Sequence, residues 1–171
     1  MVNTGKTLLH VGCGTTPLFD WIQGYTETRV DIDESVNPDI VASMTDLGDV
    51  GEYDMVMCCH ALEHLHPDDG DIALQELKRA TKTDGCVLLF VPDLEDIKPT
   101  TDTVYVCPTG PITGLDMIYG QIDTTRENEW MRHKTGFVRD TLQIVMERAG
   151  FSKVEVRRLP DVHSLMGVGI K

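Results

Sequence analysis

Three features of this 171-residue chain predict an open α/β sheet. Short apolar runs alternate with helix-spaced apolar residues, the rhythm of strands joined by crossover helices. The first run, residues 8–11 (Leu-Leu-His-Val), passes straight into Gly12-Cys13-Gly14. A second run, residues 28–32, closes on acid at Asp31, with Asp33 just beyond. Glycines let a backbone turn sharply and let a ligand approach it. An acid closing the second strand is placed to accept hydrogen bonds from ribose hydroxyls. Together these place a nucleoside-bearing cofactor in the first half of the sheet.

The remaining elements follow in order. Residues 39–42 read as a short third strand. The few residues between the second and third strands are too few for a crossover helix, which needs at least ~10, so the fold is trimmed. Residues 53–59 (YDMVMCC) are nearly continuously apolar, as in a central strand covered on both faces. Ala73, Leu77 and Ala80 give helical spacing over 72–81, ended by a turn at Thr83-Asp84-Gly85. Residues 86–91 (CVLLFV) form a fifth strand stopped by Pro92. Val138, Leu142, Val145, Met146 and Ala149 trace one helical face, with Gly150 as its stop. Val154 and Val156 alternate with charged residues, as near a sheet edge, and 164–170 is the last strand. Residues 94–135 break the rhythm and hold Pro99, Pro108 and Pro111. They read as an insertion over the active site, because loops of that length are generally functional or disordered. The whole chain, 1–171, reads as a single domain.

Composition narrows the function. Hydrophobic content of 41% and charged content of 25% suit an ordinary globular protein. No run approaches the ~18 apolar residues of a membrane span, and no signal peptide is apparent. Five cysteines without CxxC spacing do not form a disulfide framework, so a reducing cytoplasm is expected. With 28 acids against 15 bases the net charge is −13, which repels nucleic acid and anionic membranes. Arg126, Arg132, His133, Lys134 and Arg139 are the main basic cluster. The expected partner is a small molecule, with the chain a monomer or homodimer.

The dinucleotide-binding fingerprint requires a third glycine where this chain has Pro17, which argues against a pyrophosphate cradle. The Gly12-Cys13-Gly14 turn instead resembles motif I of the class I S-adenosylmethionine (SAM)-dependent methyltransferases. Further segments fit the same family: Asp31 in VDID, Asp46-Leu47, Cys59-His60-Ala61-Leu62-Glu63-His64-Leu65, the Leu77 to Gly85 stretch, His133-Lys134-Thr135-Gly136-Phe137 and Ala149-Gly150-Phe151. The chain resembles compact bacterial and phage members of the type 11 group. That resemblance implies a Rossmann-like sheet, mostly parallel with an antiparallel last strand. It implies SAM as cofactor and S-adenosylhomocysteine (SAH) as product. Val11, Gly12, Cys13 and Gly14 would wrap the methionine part; Asp31 and Ile32 the ribose; Asp46 and Leu47 the adenine; His60 borders the cofactor.

Each assignment has a plainer competitor. Gly12 and Gly14 could be only a tight turn, Asp31 a solvated strand end, and Asp46 a turn or helix cap. His60-x-x-Glu63-His64 spells a zinc-protease string, but His60 ends a strand rather than sharing a helical face with His64. No tightly bound zinc is therefore expected at His60, Glu63 and His64, and no residue is assigned as a metal ligand; whether a weak divalent ion binds near Glu63 and His64 stays open. His60 stands where ligands of open sheets bind, or is a satisfied histidine at a helix start. His133 suits proton abstraction from a substrate hydroxyl, Tyr119 an aromatic substrate wall, and Asp116 a partner for a substrate hydroxyl or for His133. The expected activity is O-methylation of a sugar or other small polar metabolite. The alternative is an accessory protein that binds SAM or SAH without turnover.

Overall fold

The computed structural model describes residues 5–107, 110–121, 126 and 128–171. The strands are β1 (Thr7–Val11), β2 (Thr26–Asp31), β3 (Ile40–Val41), β4 (Tyr53–Cys59), β5 (Thr81–Pro92), β6 (Thr103–Cys107), β7 (Gly110–Thr113), β8 (Lys153–Leu159) and β9 (Ser164–Ile170). Among the described residues, three α-helices of more than one turn accompany them: α1 (Pro67–Arg79), α2 (Gly114–Tyr119) and α3 (Arg139–Arg148). Seven strands form one sheet in the order β3-β2-β1-β4-β5-β9-β8, while β6 and β7 pair separately. Neighbours in the large sheet are parallel except at β9, which opposes both β5 and β8. This is the Rossmann-like, mostly parallel sheet with an antiparallel last strand that the sequence predicts. Among the described residues, no helix is long and apolar enough to cross a membrane.

Strand periodicity divides the core in two. On one face, Leu9, Val11, Val56, Cys58, Val87, Leu89 and Val91 pack against Ala73, Leu74 and Leu77 of α1 and Leu142 and Met146 of α3. On the other, Leu8, Met55, Met57, Leu88 and Phe90 form a smaller cluster. Among the described residues, no long helix covers that second face. The chain between β1 and β2 makes only a 3₁₀ turn, Asp20–Ile22, which drops Ile22 onto the sheet at 2% exposure. Leu18, Phe19 and Tyr25 pack beside it, and the Phe19 ring meets Phe90 edge-on at 5.1 Å.

Several boundaries differ from the sequence reading. Helix α1 begins at Pro67 rather than 72, because proline suits the first helical position and Asp68 and Asp69 complement the helix dipole. It ends at Arg79, and Thr81 already belongs to β5, paired with Tyr53. The expected turn at Thr83-Asp84-Gly85 survives as an irregularity inside β5, where the register slips and Asp84 takes φ 61°. Gly85 is required there, since a Cβ would stand 2.9 Å from the Asp54 carbonyl oxygen. Strand β2 starts earlier than expected and β3 is shorter. The described residues of 94–135 carry regular structure. They hold β6, β7 and α2, whose start carries a capping box between Thr113 and Asp116.

Asp54 ties three strands together. Its carboxylate accepts from the Thr7 N–H and hydroxyl and from Lys82 Nζ, and those donors hold its pKa well below the usual carboxylate range. A depressed folded pKa gives stability that is complete above the unfolded value near ~3.9. It is lost as pH falls through the folded value. Asp54→Asn is therefore expected to lower the urea midpoint at neutral pH and to converge with the parent in strong acid. Leu77→Ala, at 0% exposure, is expected to cost about 2–5 kcal/mol in the same assay. Ile144→Ala, on the exposed side of α3, is expected to stay within about 0.5 kcal/mol.

Candidate active site

The carboxyl ends of β1, β2 and β4 build one side of the site. Gly12 and Gly14 take φ 64° and 47°, left-handed values that glycine adopts without strain. At Gly12 space is also limiting, since a Cβ would lie 2.5 Å from that of Ala61. The glycine turn thus runs directly against the segment that follows β4. Gly14 N–H donates to Asp31 Oδ2 at 2.7 Å, and Asp33 N–H donates to Oδ1 at 2.9 Å. A carboxylate has about four acceptor positions, so Asp31 holds the turn and retains capacity on each oxygen for hydroxyl donors. Cys13 is buried, and burial pushes its thiol pKa up.

Sequence reasoning missed what supports this turn from below. Arg29 Nη2 donates to the Gly14 carbonyl at 2.7 Å and Nη1 to the Thr16 carbonyl at 3.1 Å. Arg29 also bonds Glu27, whose Oε1 accepts from His10 Nδ1 at 2.8 Å. His10 is fully buried, and that burial pushes its pKa down despite Glu27. The available signal was alternation: Glu27 and Arg29 lie two apart in one strand and so share a face.

The other expected cofactor residues are placed unevenly. Val11 is buried at the end of β1, and Ile32 is exposed just beyond Asp31. Asp46 Oδ1 accepts from Gly48 N–H at 3.2 Å, as in a turn. Leu47 points into the core at 2% exposure, and its N–H is committed to Glu76 Oε2. It supports the site from behind instead of facing it.

A cavity of about 210 Å³ adjoins His60. Four of the six histidines line it, at positions 60, 64, 133 and 163, together with Glu63, Tyr105 and Asp116. His60 stands in the left-handed region at φ 50°, a strained conformation of the kind that concentrates at functional sites. Its Nδ1 lies 3.4 Å from Glu63 Oε1 and its Nε2 3.3 Å from Ser164 Oγ. Glu63 is 1% exposed. Burial pushes its carboxyl pKa up, but the neighbouring histidines, His60 foremost, bring it below the ordinary value. Its Oε2 has no hydrogen-bond partner among the described residues.

His133 reaches the cavity from a segment distant in sequence. The N–H groups of Lys134 and Thr135 both donate to the Glu63 carbonyl, at 2.8 and 3.1 Å. His133 Nδ1 bonds the Met117 carbonyl at 2.9 Å, and burial pushes its pKa down. Tyr119 does not form the expected wall. At the end of α2 it is 61% exposed, and the aromatic ring lining the cavity is Tyr105, stacked on His163 at 5.0 Å. Burial pushes the Cys59 thiol up to about 12, which leaves it a thiol and a poor nucleophile.

Comparison with known proteins agrees with this fold. No curated protein matches the chain. Solved structures do. One is the Burkholderia thailandensis 1,6-didemethyltoxoflavin-N1-methyltransferase with bound 1,6-didemethyltoxoflavin and SAH. It is 17% identical, with a TM-score of 0.64 over 97% of this chain and 71% of that one. A SAM-dependent methyltransferase from Archaeoglobus fulgidus is 16% identical, with a TM-score of 0.65 over 97% and 86%. Human N-acetylserotonin methyltransferase in complex with SAM is 13% identical, with a TM-score of 0.66; the match covers 97% of this chain but 47% of the human one. At these identities the likeness is one of fold. The family of methyltransferase domains matches residues 2–156. The chain therefore belongs to the methyltransferase domain family, on the fold of the class I SAM-dependent enzymes.

Proposed function

We propose that this protein transfers the methyl group of SAM to an oxygen of a small hydroxylated acceptor, of the sugar or polar-metabolite class, with His60 as general base. The observation that carries the reading is a juxtaposition. The glycine turn at Gly12 abuts Ala61, and the adjacent His60 opens into a cavity sized for a small molecule. The residues present fit the cofactor. Gly12 and Gly14 lack the Cβ atoms that would keep a ligand from the backbone of the turn. Asp31 keeps acceptor positions for ribose hydroxyls, and Ile32 offers an exposed apolar surface beside them. SAM, when bound, supplies a methyl group already activated by its sulfonium.

The chain's own residues then orient and deprotonate the acceptor. Glu63 Oε1 draws the Nδ1 proton of His60 toward itself, which leaves the Nε2 lone pair facing Ser164 and the cavity. An acceptor hydroxyl would lose its proton to Nε2 as its oxygen forms the new bond to carbon. Orientation supplies up to roughly 7–11 kcal/mol in favourable cases, and a positioned base about 10²–10⁴ in rate. The 3₁₀ turn in place of a first crossover helix favours one other reading, SAM or SAH binding without turnover.

Calorimetry with SAH tests the cofactor. Asp31→Ala is expected to weaken SAH by about 10–100-fold, the worth of one or two charge-assisted hydrogen bonds. Unchanged affinity in a folded variant removes Asp31 from the site, and failure of the parent to bind SAH overturns the proposal. Turnover is tested with radiolabelled SAM against a panel of sugars and small hydroxylated metabolites. His60→Ala is expected to lower kcat by about 10²–10⁴ while SAH affinity is kept. SAH binding with no transfer to any acceptor supports the non-catalytic reading.

A further inference from the structure

We propose that Glu63, His64 and His133 form a binding site for a divalent transition metal, of the zinc or iron(II) type, in the wall of the acceptor cavity. Each residue offers a ligand atom, and these atoms all lie within 4.8 Å of one another. The set differs from the His60-x-x-Glu63-His64 string, at which no tightly bound zinc is expected. His60 is a neighbour of Glu63 Oε1, and the third donor, His133, comes from the far side of the insertion.

The hydrogen bonds prepare the donors. His64 Nδ1 bonds the Arg132 carbonyl at 3.2 Å, and His133 Nδ1 bonds the Met117 carbonyl at 2.9 Å. A carbonyl only accepts, so the proton of each neutral ring sits on Nδ1 and the Nε2 lone pair is the available one. Metal-binding histidines are oriented in the same way, by donating their second ring nitrogen to a carbonyl or carboxylate. The two rings lie side by side with centroids 5.1 Å apart and planes tilted by 57°.

Glu63 supplies the second, independent observation. A carboxylate oxygen buried to this degree without a donor carries a desolvation penalty of about 1–3 kcal/mol or more. Oε2 is such an atom. Oε1 faces His60, so the carboxylate binds a cation through Oε2 while still orienting the base. The backbone is also set in advance, because the residues after His133 are bonded to the Glu63 carbonyl. A tetrahedral ion at about 2.0–2.1 Å needs ligand atoms roughly 3.3 Å apart. Small side-chain rotations close the remaining gap.

The donor set selects the ion. Two imidazoles and one carboxylate suit zinc, iron(II) or cobalt, whereas magnesium and calcium prefer all-oxygen sites. Three protein ligands leave a coordination position open toward the cavity. A hydroxyl bound there is held in place and made more acidic, and its proton passes to His60. That use rests on the methyl-transfer reading; metal binding itself does not.

The test is titration of chelator-stripped full-length protein with Zn²⁺ by calorimetry, and with Co²⁺ by visible absorption. One ion per chain is expected, with the intense bands of tetrahedral cobalt and a rise in Tm. His64→Ala, His133→Ala and Glu63→Gln should each reduce affinity by more than the ~10–100-fold that losing an orienting partner costs. His66→Ala, an exposed histidine outside the set, should bind as the parent does. Circular dichroism confirms that each variant is folded, and Glu63→Gln preserves side-chain shape if an alanine variant is not. Absence of stoichiometric binding overturns the site. So does binding that survives both histidine variants, or that disappears with His66. SAH calorimetry on the same samples separates the readings: metal without SAH supports the site and removes methyl transfer, while SAH without metal does the reverse.

Discussion

The buried carboxyl group of Glu63 and the carbonyl of the same residue hold the two halves of the site together. Through its side chain, Glu63 orients His60 at the end of β4. Through its backbone it receives the N–H groups of Lys134 and Thr135, which brings His133 to the cavity. One residue in a 3₁₀ turn thus registers the edge of the central sheet against the segment that leads into α3. One side-chain contact and two backbone hydrogen bonds therefore meet at a single residue and specify the junction from both sides. The same burial leaves Oε2 unsatisfied, and the stability of the junction and its chemistry therefore come from one source.

The glycine turn is held in a different way. Without a long helix after β1, it is clamped from one side by Asp31 and from the other by Arg29. Arg29 depends in turn on Glu27, and Glu27 on His10. This chain of polar contacts lies on the face where Leu18, Phe19, Ile22 and Tyr25 pack over the smaller apolar cluster. Charge-assisted hydrogen bonds are directional, so they fix the carbonyls of the turn where a thin apolar cover fixes only its distance from the sheet. The arrangement lets a short chain keep the geometry of the turn without the helix.

The central strands and both long helices were legible because their apolar residues are strictly periodic, as at 53–59 and at Val138, Leu142 and Met146. The first five residues of α1 and of β5 were not. Pro67 to Asp71 and Thr81 to Gly85 are polar, so apolar periodicity is silent there. Proline at the helix start and acids in its first turn were the signals to read. The choice of Tyr119 over Tyr105 failed for another reason. Both are aromatic residues of one insertion, and only the hairpin pairing of β6 with β7 and the direction of α2 decide which ring faces the cavity.

By itself the sequence determined the order of the strands' apolar runs, the glycine turn with its acid one strand later, and the family those motifs announce. These are local properties, expressed in the spacing of residues close together along the chain. The tertiary structure alone decided that Asp31 holds the glycine turn, that Arg29 clamps it, and that His64 and His133 line one cavity. Each depends on residues brought together across strands or across the insertion. Their distances follow from sheet register and packing, and no spacing along the chain encodes them.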